Sequence, residues 1–544
     1  MSYDTWQSLP SMFFEIAEQG GDSAFLWTKQ DGHYQPLSWR DTAQRVREMA
    51  KGLAALGVTA GERIAIVAEN RPEWAIADLA IMTLGAISVP AYTTNTVRDH
   101  RHVLADCGAK GVIVSTRALA ARLLPAAAEA AQTEFIVTME ATESGAFDIA
   151  LHDWDAVLAM GAASGHDLEP GLQKQARRDV ACLIYTSGTG GNPKGVMLSH
   201  QAILINCLAA CELLRQLGLG DEVFLSFLPL SHAYEHTAGL YFPISIKAQI
   251  YYAESIETLS VNLVEARPTI MVSVPRLYEV MHRRILLGLK RQSALKQALF
   301  AKAVALGRKE YEKPGSLGVV QSALNRVLER LVRDKVRARF GGRLKAMISG
   351  GAPLNPEVGI FFTALGVRLL QGYGQTESAP VISCNPPNKI KLHTVGPAVE
   401  RVEVKIAEDG EILARGEVIM NGYWNDEIST RKVLREGWLH TGDIGHLDAD
   451  GYIQITDRKK DIIVLSGGDN LSPQRVEGML TLQPEIAQAM VYGDKHAHLV
   501  ALLVPDEEFL SEWKGGSGSG DMAALAGDSA FMKALGEAVE RANA

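Results

Sequence analysis

Short apolar runs alternate along the first third of the chain with stretches in which apolar residues recur every three or four positions. Ser38 and Asp41 form a helix-start signal, Val46, Met49, Leu53 and Leu56 follow at helical spacing, and Gly57 is placed to end that helix. Arg63 to Ala68 reads as a strand, Pro72 to Leu84 as a helix and Ala86 to Ala91 as a strand. The alternation repeats through Gly111–Ser115, an Ala-rich helix and Glu134–Met139. Such spacing predicts a mainly parallel sheet covered by helices. Residues from about 140 to 178 are polar and poorly periodic, and are expected to form a connector.

Val180 to Tyr185 then reads as a buried strand, as do QIYYA, from Gln249, and TIMVSVP, ending at Pro275. Val223 to His236 reads as a strand running into a Pro-containing turn. From Gly396 the pattern changes to short strands separated by turn residues, and Asp448–Gly451 (DADG) reads as a hairpin turn because it lacks the remaining acids of a calcium loop. The charged break Asp457–Asp461 is a candidate domain boundary. Beyond it come a helix from Pro473 to Leu480, two strands (MVYGD and LVALLVP), a flexible linker over Lys514–Gly520 and a last helix from about Ser529 to Arg541.

These elements predict an α/β fold. A large N-terminal domain, 1–456, is expected to hold helix-covered mixed sheets and a small β-barrel-like subdomain, divided at about 1–178, 179–366 and 367–456. A hinge at 457–461 and a small α+β C-terminal domain at 462–544, incomplete by this reading, complete the division. The hydrophobic fraction of 47% and charged fraction of 22% place the chain among soluble globular proteins. The net charge of −9 argues against a general nucleic-acid binder. Five scattered cysteines without C-x-x-C spacing read as reduced thiols of a cytoplasmic protein, and the N-terminus has no signal-peptide pattern. Arg283 to Lys345 departs from the acidic average, with 17 Lys or Arg against four acids. That run is either a solvated helical face or a patch for anionic membrane headgroups or an acidic partner protein.

Candidate chemistry sits where strands end. Val180–Tyr185 breaks into Thr186, Ser187, Gly188, Thr189, Gly190 and Gly191, followed by Lys194 and Gly195. Glycines let backbone N–H groups converge, and hydroxyls with an ammonium suit a polyphosphate, although a flexible polar turn has the same composition. The loop is not a Walker A sequence, since Pro193 and Gly195 occupy two of its required positions. Two further strands end in Ser349–Ala352 and Gln371–Glu377. Ligands of open α/β sheets gather beyond strand carboxyl ends. If the three ends converge they form one site with phosphate donors, the Tyr373 ring and the Glu377 carboxylate, which can hold Mg2+ through an oxygen. His232 and His236 follow a strand, where a lone histidine is more often structural than chemical.

Four segments, YTSGTGGNPKG, QGYGQTE, GWLHTGD and DRKKD, together make the chain similar to the adenylate-forming superfamily of acyl-CoA synthetases, luciferases and peptide-synthetase adenylation domains. PLSHAYEH and the basic insertion near 280–345 most resemble long-chain fatty acyl-CoA synthetases. The resemblance implies that Thr186, Ser187, Gly188, Thr189, Gly190 and Lys194 hold the ATP β/γ-phosphates. It places Gly350, Gly351 and Ala352 at the adenine, with Tyr373 packed on the base within a wall formed by Gln371, Gly372 and Gly374. Thr376 would contact the α-phosphate, Glu377 would bind Mg2+, and Asp443 would grip the ribose with Arg458 assisting. Lys460 falls at the hinge, His232 near the acyl carboxylate, and Gly467 and Gly468 where the pantetheine arm of CoA would pass.

The implied reaction is ATP-dependent activation of a fatty acid and transfer to CoA, in the cytoplasm or at the membrane surface. Two other readings stay open: a fatty acyl-AMP ligase that loads an acyl-carrier protein, and a catalytically impaired acyl- or nucleotide-binding protein. The last arises because the family's C-terminal segment carries a catalytic lysine, to which Lys533 does not correspond. Weak adenylation by these 544 residues is the expectation that follows.

Overall fold

The computed structural model describes residues 3–186, 192–459, 463–466, 470–496, 498–513 and 525–543. Two eight-stranded sheets dominate it. The first runs, in spatial order, Gly422–Tyr423, Lys194–Ser199, Val180–Thr186, Ile87–Pro90, Arg63–Val67, Gly111–Val114, Phe135–Thr138 and Ala150–Asp153. Its six central and far-edge strands are parallel, and Lys194–Ser199 turns back antiparallel on Val180–Thr186. The second runs Val381–Cys384, Leu369–Gly374, Ala346–Ser349, Ile270–Ser273, Val223–Ser226, Gln249–Tyr252, Ala24–Gln30 and His33–Ser38.

Two helices, Pro72–Thr83 and His200–Leu214, are buried on almost every side. An amphipathic helix covers a sheet from outside, whereas one apolar all round belongs between two layers. Ile64, Trp74, Ile184, Leu204, Phe224 and Ile250 accordingly join both sheets and both helices in one core. Separate apolar layers back the outer faces, around Val112 and Leu123 on the first sheet and around Met347 and Phe362 on the second.

The structure revises two sequence expectations and adds one element that was not expected. Residues 140–178 are more than a connector: Ala150–Asp153 adds an edge strand in register with Phe135–Thr138, and helix Trp154–Ala163 packs on helix Trp39–Ala55. The approach is so close that a Cβ on Gly161 would lie 1.7 Å from the Glu48 carbonyl oxygen. The strand opening at Val223 stops at Ser226, and Glu235–Tyr241 is a turn of π-helix. The hairpin Ala24–Gln30/His33–Ser38, which had no clear sequence signal, extends the second sheet through Leu26–Ile250 and Trp27–Tyr251 pairing.

A third, antiparallel sheet contains Val402–Ile406, Glu411–Gly416, Leu434–Arg435, Trp438–Leu447 and Ile453–Arg458. Asp448–Gly451 is its hairpin turn, with the Asp448 carboxylate accepting from the Asp450 and Tyr452 N–H groups and pairing with Lys391. The C-terminal residues have a core of their own, including Ile486, Phe531 and Leu535. They meet helix Pro275–Lys290 through an Arg283–Asp506 ion pair and an Arg276 hydrogen bond to the Ala487 carbonyl (3.2 Å). The Lys514–Gly520 linker lies outside the described residues.

Candidate active site

Strands Val180–Thr186, Ala346–Ser349 and Leu369–Gly374 all end at one cavity of about 1180 Å³. Thr186, Lys194, His232, Gly350, Gly351, Gly372, Tyr373, Gly374, Thr376, Glu377 and Arg458 lie on its wall. Two glycines allow this closeness: a Cβ on Gly350 would meet the Tyr234 ring at 2.9 Å, and one on Gly374 would lie 1.8 Å from the Pro380 carbonyl oxygen. Gln371 is set behind the wall, where its carbonyl accepts from the Asn385 N–H, and Ala352 is exposed away from it. Ser187, Gly188, Thr189, Gly190, Lys460, Gly467 and Gly468 lie outside the described residues.

Asp443 is almost buried and reaches the cavity through Tyr373, whose hydroxyl donates to Asp443 Oδ2 at 2.6 Å. Arg458 Nε lies 3.3 Å from the other carboxylate oxygen. Burial, then the Asp443 charge, push the Tyr373 hydroxyl far above its usual pKa, so it stays a donor. The tyrosine thus arrives with its ring orientation fixed.

Lys194 is held by residues the motif reading passed over. Its ammonium lies 2.9 Å from Asp426, contacts Ser429 Oγ and sits 5.3 Å from the Tyr423 ring centre. Hydrogen bonds from Ser429, then Lys194, lower the Asp426 carboxyl to about 2. The Tyr423 hydroxyl in turn donates to Glu377 Oε1 at 2.8 Å. The only sequence signal for this bracket is an Asp positioned to cap the helix Glu427–Val433.

His232 Nδ1 accepts the Tyr234 N–H at 3.1 Å, which leaves Nε2 to carry the ring proton, and burial lowers its pKa. His236 is different. It is fully buried between the two sheets, 2.9 Å from Asp78, which also accepts from the Tyr241 hydroxyl. Lys533 is exposed on the last helix, 3.9 Å from Glu537 and off the cavity wall.

Behind the polar wall the cavity extends into an apolar arm. Ala209, Ala210 and Leu213 of helix His200–Leu214 line it together with Phe224, Phe242 and Ile270. Ala238 adds to this lining from the π-helix, whose Glu235 is buried with Oε1 accepting from Ser226 at 2.6 Å. Desolvation raises the Glu235 carboxyl to about 8.

Magnesium commonly takes one or two carboxylates together with substrate phosphates. Glu377 fits that pattern: it lies on the polar wall beside Thr376, with one oxygen engaged by Tyr423. No group of three or more His, Cys, Asp or Glu side chains suited to a metal occurs among the described residues.

The chain belongs to the AMP-binding enzymes, whose family pattern matches residues 13–424; the AMP-binding enzyme C-terminal domain pattern matches residues 460–544. It is 32% identical over 544 residues to "Long-chain-fatty-acid--CoA ligase FadD15" of Mycobacterium tuberculosis, covering 98% of this chain and 89% of that protein. Identity to "Long chain acyl-CoA synthetase 6, peroxisomal" of Arabidopsis thaliana is 30%, covering 91% of this chain and 72% of the relative. The fold matches the A domain of carboxylic acid reductase from Segniliparus rugosus, solved with AMP and a co-purified carboxylic acid. That match has a TM-score of 0.76 and 21% identity and covers 99% of this chain and 86% of that one.

Proposed function

We propose that the protein joins a fatty acid to CoA through an acyl-adenylate, releasing pyrophosphate and then AMP. The observation that carries this reading is the continuity of the cavity: an apolar arm leads to a wall bearing Lys194, Thr376 and Glu377. The acid's tail fits the arm and its carboxylate meets the ATP α-phosphorus at the wall. Both reactants are anions, so the site must supply cations and N–H donors more than a base or nucleophile.

In this reading Thr186, Ser187, Gly188, Thr189, Gly190 and Lys194 hold the β/γ-phosphates. Gly350, Gly351, Gly372 and Gly374 flank the adenine, and Tyr373 packs on it. Thr376 contacts the α-phosphate, Asp443 and Arg458 hold the ribose, and His232 stands near the acyl carboxylate. Mg2+, held by Glu377, supplies charge neutralisation on the phosphates. The CoA thiol then attacks the acyl carbonyl and AMP departs, with Gly467 and Gly468 beside the pantetheine arm. Residues 457–461, including Lys460, form the hinge between domains 1–456 and 462–544; the separate C-terminal core supports that division.

Pyrophosphate release with acids of increasing chain length tests the reading, with CoA and an acyl-carrier protein compared as acceptors. Acid-dependent release with CoA as the better acceptor is expected; absence of acid-dependent release sinks it. A peripheral contact with anionic membrane through Arg283–Lys345, from a cytoplasmic location, belongs to the same proposal. Among the described residues no helix is long and apolar enough to cross a membrane.

A further inference from the structure

The basic segment folds as helices Ala294–Glu312 and Val319–Leu328, the latter continuing through a π-turn, Glu329–Arg333, into Asp334–Arg339. Its four carboxylates are all engaged locally. Glu310 accepts from the Gly315 N–H, Glu312 lies 3.7 Å from Arg308, Glu329 pairs with Arg333 and Arg337, and Asp334 pairs with Arg337. Arg326, Arg330, Lys335 and Arg339 are exposed, and no ion pair holds them among the described residues. The outward charge of this face is therefore positive.

The same face carries aliphatic residues that a solvated helix would not need. Val320, Ala323, Val327 and Leu331 follow at spacings of three or four, so they share one stripe. Val320 is 82% exposed, Val327 53% and Leu331 45%, and the neighbouring Val319 is 89% exposed. The stripe takes no part in anchoring the helix. Leu328, Val332 and the buried Arg333 do that, with Arg333 donating to the Ala364 carbonyl at 2.7 Å and the Ala303 carbonyl at 2.8 Å.

We infer that the outer face of Val319–Leu331 is a docking surface for an anionic lipid bilayer: the aliphatic stripe enters the headgroup boundary while Arg326 and Arg330 meet lipid phosphates. The inference rests on the membrane contact proposed above and assigns it to one face. Charge complementarity selects the occupant, because unpaired arginines border a narrow aliphatic ridge. Protein-binding hot spots are rich in Trp and Tyr, and this stripe has no aromatic residue. Arginine stems can also lie along the apolar boundary with their heads in the phosphate layer.

Vesicle flotation of the full chain tests it, using phosphatidylcholine alone and phosphatidylcholine with phosphatidylglycerol. The wild type should float with the anionic vesicles only and be released by high salt. The Val320→Ser/Val327→Ser/Leu331→Ser variant should lose about tenfold in vesicle affinity, and the Arg326→Glu/Arg330→Glu variant at least as much. Both should keep the wild-type melting temperature and pyrophosphate release from a water-soluble short acid. Equal flotation of the wild type and both variants overturns the assignment to this face and leaves the membrane contact of Arg283–Lys345 standing. No flotation of the wild type overturns both. A wild-type dimer in light scattering that the serine variant dissociates, without any vesicle binding, would assign the stripe to self-association instead.

Discussion

The two ends of the cavity are built in opposite ways. At the polar end, short loops beyond three strands bring together Thr186, Lys194, Gly350 and the Thr376–Glu377 pair, and a second layer locks them: Asp426 and Ser429 on Lys194, Tyr423 on Glu377, Asp443 on Tyr373. At the apolar end the lining side chains Ala209, Ala210, Leu213, Phe224, Phe242 and Ile270 have no hydrogen-bonding group to hold them. The arm exists because Ala209 and Ala210 are small where helix His200–Leu214 passes the second sheet, and because the π-turn carries Ala238 beside it. One end is specified by polar groups at fixed positions, the other by volume left unfilled, so the two should respond differently to substitution.

The largest expected effect is at the polar end. Lys194→Ala should lower pyrophosphate release by roughly 10²–10³ at saturating acid, since a donor aimed at developing charge is worth that much. Chain-length preference, measured alongside, should stay unchanged; a shifted preference would show that the two ends are not separable. Next, Ala210→Trp should fill the arm. The ratio of kcat/KM for a long acid over a short one should fall by about ten- to a hundredfold, while KM for ATP holds steady in the same assay.

Asp443→Asn should weaken ATP by about tenfold, the scale of one hydrogen bond to a charged group, seen in KM for ATP more than in kcat. The smallest effect concerns the π-turn. Glu235 has its carboxyl raised from 4.5 to about 8 in the folded protein, so the folded state holds its proton more tightly than the unfolded chain. Its contribution to stability is present in full below about pH 4.5 and is lost as pH rises through about 8. Glu235→Gln should therefore melt higher than the wild type at pH 8.5 by about 1–3 °C, with the gap closing toward pH 5. Equal pH profiles of the two proteins in calorimetry would remove this account.

Legibility followed the same divide. The glycine-rich loop and Gln371–Glu377 stand out because polar residues concentrate where apolar strands stop, whereas Asp443, inside strand Trp438–Leu447, is reached only through the family resemblance. Asp426 and Tyr423 escape notice because a capping Asp and a strand Tyr are common on grounds of local structure alone. The apolar arm leaves no mark: helix His200–Leu214 is apolar on every side, so periodicity distinguishes neither the face on the cavity nor the face on the core. Residues 150–163 escape notice for a related reason, since their strand is short and half exposed and their helix buries only Trp154, Val157 and Gly161, a stripe too brief to stand out in a polar stretch.

The sequence by itself determines the alternation of strands and helices, the positions of the strand-end loops and the residue types gathered there, because these depend on local periodicity and on functional groups at fixed spacing. Tertiary structure alone decides that the first hairpin completes the second sheet, that His236 is tied to Asp78 while His232 lines the cavity, and where the apolar arm runs. Each of those depends on which surfaces meet across hundreds of residues, and an unfilled volume between two packed layers belongs to no residue in particular.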